Sequence, residues 1–234
     1  MTKLLLPLLF IYSCAMSQTI PSSTRSITAI NKVTPQLTVE FKESQLTFGA
    51  PIFIRIFKQE AILEIWVKNQ NHFTLFKTYP ICNFGFAGLG PKLKEGDGKA
   101  PEGFYFVKAS QLNPYSSYHL SFNLGYPNTY DRAHKRTGSA LMVHGDCVSV
   151  GCYAMTNNKI EEIFTIAHAA LSSGQSFFRV HVFPFKMTDE NLTKYKGSQW
   201  FNFWKNLKQG YDYFEANNFN PPNVTVEDLK YYYD

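Results

Sequence analysis

The sequence predicts a mostly β fold of the α+β class, and three observations point there. From Pro51 onward, short runs rich in β-branched and aromatic residues alternate with polar turns. One later segment carries helical spacing together with start and stop signals. A C-terminal stretch with an aromatic stripe reads as a helix packed on the domain.

Residues 1–17 read as a secretory leader. Lys3 supplies positive charge, Leu4 to Tyr12 form a short apolar run, and Ala15-Met16-Ser17 is a small-x-small site with cleavage expected before Gln18. The run is too short to span a bilayer. A lipidated Cys14 is the alternative, though the bulky Tyr12 suits such a site poorly. The expected location is outside the cytoplasm, in a soluble exported form. Residues 18–50, rich in Ser, Thr, Asn and Gln, read as a polar, loosely ordered arm.

The remaining chain suffices for one domain with a core, over 51–185, and a C-terminal helical extension and tail over 186–234. Strands are expected at Ile52–Phe57, Ile62–Val67 and Phe73–Tyr79, a meander separated by polar turns, then at Phe104–Val107, His119–Leu124 and Leu141–Val143. Gly85 to Gly103 is a glycine-rich charged loop without the spacing or the Gly-Lys-Ser/Thr ending of a phosphate loop. A helix is expected with Asn158 as N-cap, Glu161 at capping-box spacing, an apolar face of Ile160, Ile163, Phe164, Ala167 and Leu171, and Gly174 closing it. Ser176–Phe185 is a further strand, and Asp189–Tyr213 is one amphipathic helix bearing Trp200, Phe201, Phe203, Trp204 and Leu207. The tail from Asn217 is polar, with Pro221-Pro222, and ends in three tyrosines.

The chemistry concentrates in Val143–Tyr153, which holds His144, Cys147, Ser149 and Cys152 among glycines. A cysteine is a nucleophile when a nearby base takes its proton, and histidine is the side chain suited to that near neutral pH. His144 and Cys152 are eight positions apart, so a fold-back must bring them together. Gly151 permits a tight turn, and the N–H groups of Gly151 and Cys152 are candidate oxyanion donors. Ser149 is expected to hold the loop or the His144 ring, and Asp146 to serve the turn. Cys147 is the less favoured nucleophile. Tyr130 and Arg132 are candidates for binding a peptide carboxylate, a task suited to a guanidinium fork, and His134 for a second base or a substrate contact. His72, His119, His168 and His181 read as structural or surface residues.

Cys82, Cys147 and Cys152 remain after the leader, an odd number that leaves one thiol unpaired. Either Cys82 pairs with Cys147 and Cys152 is free, or Cys147 pairs with Cys152 and silences it. A free thiol outside the cytoplasm invites a reducing partner. No Cys/His metal spacing occurs, and no metal or cofactor is expected. A net charge of +5 without a basic stripe interleaved with aromatics gives no footprint for nucleic acid.

His144-Gly145 followed by Ser149-Val150-Gly151-Cys152, with Pro101-x-Gly103-x-Tyr105 upstream, resembles the YkuD-type L,D-transpeptidases over about residues 51–185. Gly88–Lys92, Tyr130–His134, His144–Thr156, Pro184–Asp189, Phe203-Trp204 and Gly210–Glu215 resemble the YafK-like subgroup of that family. Val150 stands where the broad family usually has a second histidine, Ala154 where it usually has an arginine, and the His-to-Cys interval is short. These departures suit the subgroup.

The resemblance implies a YkuD-like catalytic β-sandwich with one or two packed helices, in a Gram-negative periplasm. It implies acyl transfer by Cys152, with His144 as proton acceptor and donor, at the L-centre of meso-diaminopimelate in peptidoglycan stem peptides. The subgroup implies hydrolysis of the amide that links an outer-membrane lipoprotein lysine to peptidoglycan; transpeptidation, joining stem peptides or attaching proteins, is the alternative. A wall-binding module using Tyr130, Arg132 and the Gly85–Gly103 loop is the alternative of a different class.

Overall fold

The computed structural model describes residues 19–234; the expected leader lies outside them. In chain order the elements are α1 (Thr24–Glu43), β1 (Ile52–Phe57), β2 (Ile62–Asn69), β3 (His72–Pro80), β4 (Gly103–Val107), β5 (Leu112–Asn113), β6 (Ser121–Asn123), α2 (Thr129–Ala133), β7 (Met142–His144), β8 (Tyr153–Ala154), α3 (Asn157–Ser172), β9 (Phe178–Phe183), α4 (Asp189–Lys194), α5 (Phe201–Ala216), β10 (Val224–Glu227) and β11 (Lys230–Tyr233).

The large sheet has the order β3-β2-β1-β9-β4, with β1 and β9 parallel and its other pairs antiparallel. The small sheet runs β5-β6-β7-β8, with β7 and β8 parallel. Side chains alternate between the faces of a strand, so a central strand covered on both sides reads as one apolar run. β1 does this: Ile52, Ile54 and Ile56 enter the main core, while Phe53 and Phe57 enter clusters on the opposite face. The main core lies between the sheets, where Ile54, Ile65 and Val180 share a cluster with Phe122, Val143 and Tyr153, closed by α1 and α3. The expected α+β fold, with two sheets sandwiching a core, is the one observed.

Four expectations are corrected. The segment 18–50 contains a 20-residue helix, not a loosely ordered arm. Ser23 and Ser26 form a reciprocal capping box at its start, Ala29, Leu37 and Phe41 are buried, and Lys32 and Glu40 pair with Glu161 and Lys77. The helix expected from Asn158 starts at Asn157 behind the N-cap Thr156 and ends at Ser172, with Ser173 as C-cap; Glu161 binds Lys32 and His119 instead of closing a capping box. The stretch from Asp189 is two helices, α4 and α5, joined through Ser198–Trp200. The tyrosine-rich tail is a β-hairpin, β10–β11, laid on α5 and β4, with Tyr231 and Tyr233 edge-on to Phe104. Among the described residues no helix is long and apolar enough to cross a membrane.

Candidate active site

The site lies in the connection between the parallel strands β7 and β8. Val143 pairs in register with Tyr153, and both point into the core. The next pair, His144 and Ala154, therefore faces the other way, and Cys152 immediately precedes β8, partly buried against the main core. The fold-back required between His144 and Cys152 is supplied by this pairing, which sets the end of β7 beside the residues that follow Cys152.

The intervening turn is tied at several points. Asp146 and Cys147 both adopt left-handed backbone, with φ of 66° and 56°. The Asp146 N–H donates to Asn157 Oδ1 at 2.9 Å, and Asn157 Nδ2 donates back to the Asp146 carboxylate at 3.2 Å. The Cys147 N–H donates to the Met155 carbonyl at 3.1 Å. A Cys82–Cys147 disulfide anchors the turn to the chain just after β3. Of the two pairings left open by cysteine counting, this one leaves Cys152 as the free thiol. Cys147 is thereby removed as a nucleophile.

Ser149 holds the loop rather than the histidine. Its Oγ donates to the Cys152 carbonyl at 2.7 Å and accepts from the Gly151 N–H at 3.0 Å. The Gly151 N–H, a candidate oxyanion donor, is thus engaged with the serine hydroxyl in this structure. Gly151 is required for space and backbone. Its φ is 149°, and a Cβ there would meet the Lys99 carbonyl oxygen at 2.9 Å.

His144 is almost wholly buried, at 2% exposure. Its Nδ1 lies 2.6 Å from the Gly145 carbonyl; with Nδ1 donating, Nε2 carries the lone pair of a general base. Burial holds the imidazole pKa below its ordinary value, although the Gly145 carbonyl and Asp146 pull the other way. The Tyr118 ring lies tilted over the imidazole with centroids 4.8 Å apart.

The Cys152 Sγ accepts from the Met142 N–H at 3.4 Å and approaches the Ala140 carbonyl at 3.6 Å, with no hydrogen bond to the imidazole. Catalytic hydrogen bonds are often long or absent before substrate arrives. Burial raises the thiol pKa, against the Met142 N–H and the charge of Lys92, which lower it. Both shifts favour a neutral thiol and a neutral imidazole.

The other candidate residues are placed elsewhere. Tyr130 is buried and stacks on Tyr231 at 4.2 Å between centroids. His134 Nε2 lies 3.0 Å from the Leu229 carbonyl. Arg132 donates to the Pro127 carbonyl and to Thr129 Oγ1. The contacts of these three residues run to the segment 127–136, to Phe203 of α5 and to the C-terminal hairpin, not to His144 or Cys152. Sequence reading missed Tyr118, Asn157 and Lys92. Lys92 stands in the Gly88–Lys92 stretch and Asn157 beside the α3 cap, so both positions carried a local signal; Tyr118 carried none. No group of three or more potential metal ligands occurs among the described residues.

Comparison with known proteins adds a family. The model of the L,D-transpeptidase catalytic domain (YkuD) matches residues 51–182. The chain is 47% identical over 198 residues to a protein of Escherichia coli (strain K12) named "Putative L,D-transpeptidase YafK", covering 85% of this chain and 79% of that one. Among solved structures, a mutant of the helical cell shape determining protein Pgp2 from Campylobacter jejuni aligns with a TM-score of 0.46 at 21% identity, covering 72% of this chain and 58% of that chain. Bd1075 of Bdellovibrio bacteriovorus aligns with a TM-score of 0.45 at 19% identity, covering 76% and 78%.

Proposed function

Because the chain belongs to the L,D-transpeptidase (YkuD) family, we propose that it is a cysteine acyl-transfer enzyme of the bacterial cell wall that hydrolyses peptide bonds at the L-centre of meso-diaminopimelate. The observation that carries this reading is the free Cys152 thiol immediately before β8, whose parallel partner β7 ends on a buried histidine with its Nδ1 anchored.

His144 Nε2 takes the thiol proton as Cys152 Sγ attacks the carbonyl carbon. The Cys152 N–H faces the developing oxyanion. His144 then gives the proton to the leaving amine, and a thioester remains on Cys152. Water, deprotonated by the same imidazole, attacks the thioester and regenerates the thiol. The leaving amine we propose is the side-chain amine of a lysine from an outer-membrane lipoprotein. The protein acts in the periplasm, and a thiol reductase there keeps Cys152 reduced.

The test is incubation with sacculi carrying bound lipoprotein and, separately, with tetrapeptide muropeptides. The expected outcome is released lipoprotein and free tripeptide ends, with none from Cys152→Ala. The family name of the relative favours a second reading, transpeptidation. New diaminopimelate–diaminopimelate cross-links without release would establish it in place of hydrolysis. No chemical change with either substrate would leave a wall-binding module.

A further inference from the structure

A cavity of about 540 Å³ lies on the outer face of the large sheet, away from the turn that carries Cys152. Its lining includes no residue from 140–155. Two register pairs on neighbouring strands build one wall: Phe104 beside His181, and Phe106 beside Arg179. The C-terminal hairpin supplies Tyr231 and α2 supplies Arg132.

The polarity of this cavity is one-sided. No aspartate or glutamate lines it, while two guanidiniums do. Arg132 donates to a backbone carbonyl and a threonine hydroxyl. Arg179 donates to Asn223 Oδ1 at 2.7 Å and lies over the Phe177 ring at 5.2 Å. Neither meets a carboxylate among the described residues, although a guanidinium has five N–H donors to satisfy. Burial acts on Arg179 with no acid to offset it. The amide of Asn128, by contrast, is engaged in holding the walls together, through the Phe104 carbonyl and the Tyr231 hydroxyl. Phe106 is half exposed, so apolar surface also faces the opening. The volume falls in the range of small-ligand sites, with room for a short peptide and not for a folded partner.

We propose that this cavity is a second, non-catalytic site for a short acidic peptide of the wall-stem type, with carboxylates on Arg132 and Arg179 and the peptide body against the aromatic wall. Planar carboxylates match the guanidinium fork, and an ion pair at an apolar wall is less screened than one in water. The identity of the peptide rests on the function proposed above; the site itself rests on the cavity. Occupied there, the protein stays on the wall while Cys152 works on another stem.

The probe is the soluble tripeptide alanyl-glutamyl-diaminopimelate, titrated calorimetrically into the full chain with Cys152 alkylated, so that the catalytic turn is blocked. Binding is expected to persist. It should weaken about tenfold or more in Arg179→Gln and again in Arg132→Gln, as loss of a hydrogen-bonded charge requires. Arg179→Lys, which keeps the charge and loses the fork, should fall between, and a fully amidated tripeptide should not bind. Circular dichroism of each variant separates lost binding from lost fold. Equal affinity in the folded double variant, or binding abolished by alkylation, overturns the proposal. If tripeptide binds as expected while sacculi remain unprocessed by unmodified protein, the proposed function fails and the site stands. Processing without tripeptide binding is the reverse.

Discussion

At the scale of single residues, the site is defined by which protons are already committed. His144 and Cys152 are both pushed by burial toward their neutral forms. Thiolate at Cys152 is therefore scarcer at neutral pH than in a free cysteine. Its alkylation by iodoacetamide should climb steadily with pH through and above the ordinary thiol range, followed by intact mass. A plateau near neutrality would mean a preformed thiolate–imidazolium pair and sink this account. Ser149 has a different task, bridging the Gly151 N–H and the Cys152 carbonyl. Ser149→Ala should leave stability nearly unchanged and lower turnover by up to about a hundredfold, the cost of a nucleophile displaced by about 1 Å; a release assay against the parent checks it. That His144 and Cys152 belong to one short connection was legible from their types and spacing. The occupied Gly151 donor was not, because only the folded turn brings the serine hydroxyl onto it. Tyr118 was equally hidden, its contact with His144 arising from pairing of distant segments.

At the scale of elements, strands announced themselves through β-branched and aromatic runs, while α1 did not. Its Ser, Thr, Asn and Gln content masked a stripe at Ala29, Val33, Leu37 and Phe41, four residues apart, behind a Ser23/Ser26 cap. The break between α4 and α5 was hidden because the aromatic stripe continues through Trp200 and Phe201, which serve both sides of the joint. α5 docks the C-terminal hairpin through a glycine. A Cβ on Gly210 would lie 2.4 Å from the Tyr233 ring and 2.7 Å from Phe104. Overpacking costs about 1–3 kcal/mol, and exchanging glycine for alanine in a helix returns at most about 1 kcal/mol. Gly210→Ala should therefore lower the urea midpoint; a raised midpoint would show that the hairpin moves aside freely.

At the scale of the whole molecule, histidines held wholly or partly out of water shape the response to mild acid. His144, His168 and His181 all have pKa values lowered by burial, His181 further by Arg179 and Arg55. The unfolded chain binds their protons near pH 6.5, while the folded chain resists. Stability is thus complete above that pH and declines as pH falls through it, by up to about 1.4 kcal/mol per pH unit for each proton withheld. Urea titrations between pH 7.5 and 5.5 should show the decline, and His181→Phe should make it shallower; a flat profile would contradict the burial of these rings. The sheet order has a consequence of another kind. β9 separates β1 from β4, yet it follows both in the chain, with the entire catalytic turn made in between. A chain emerging from its N-terminus carries two open sheet edges until Phe178–Phe183 arrives to close them. Truncation short of that strand leaves a sticky fragment prone to pairing with its neighbours, and not a smaller folded domain.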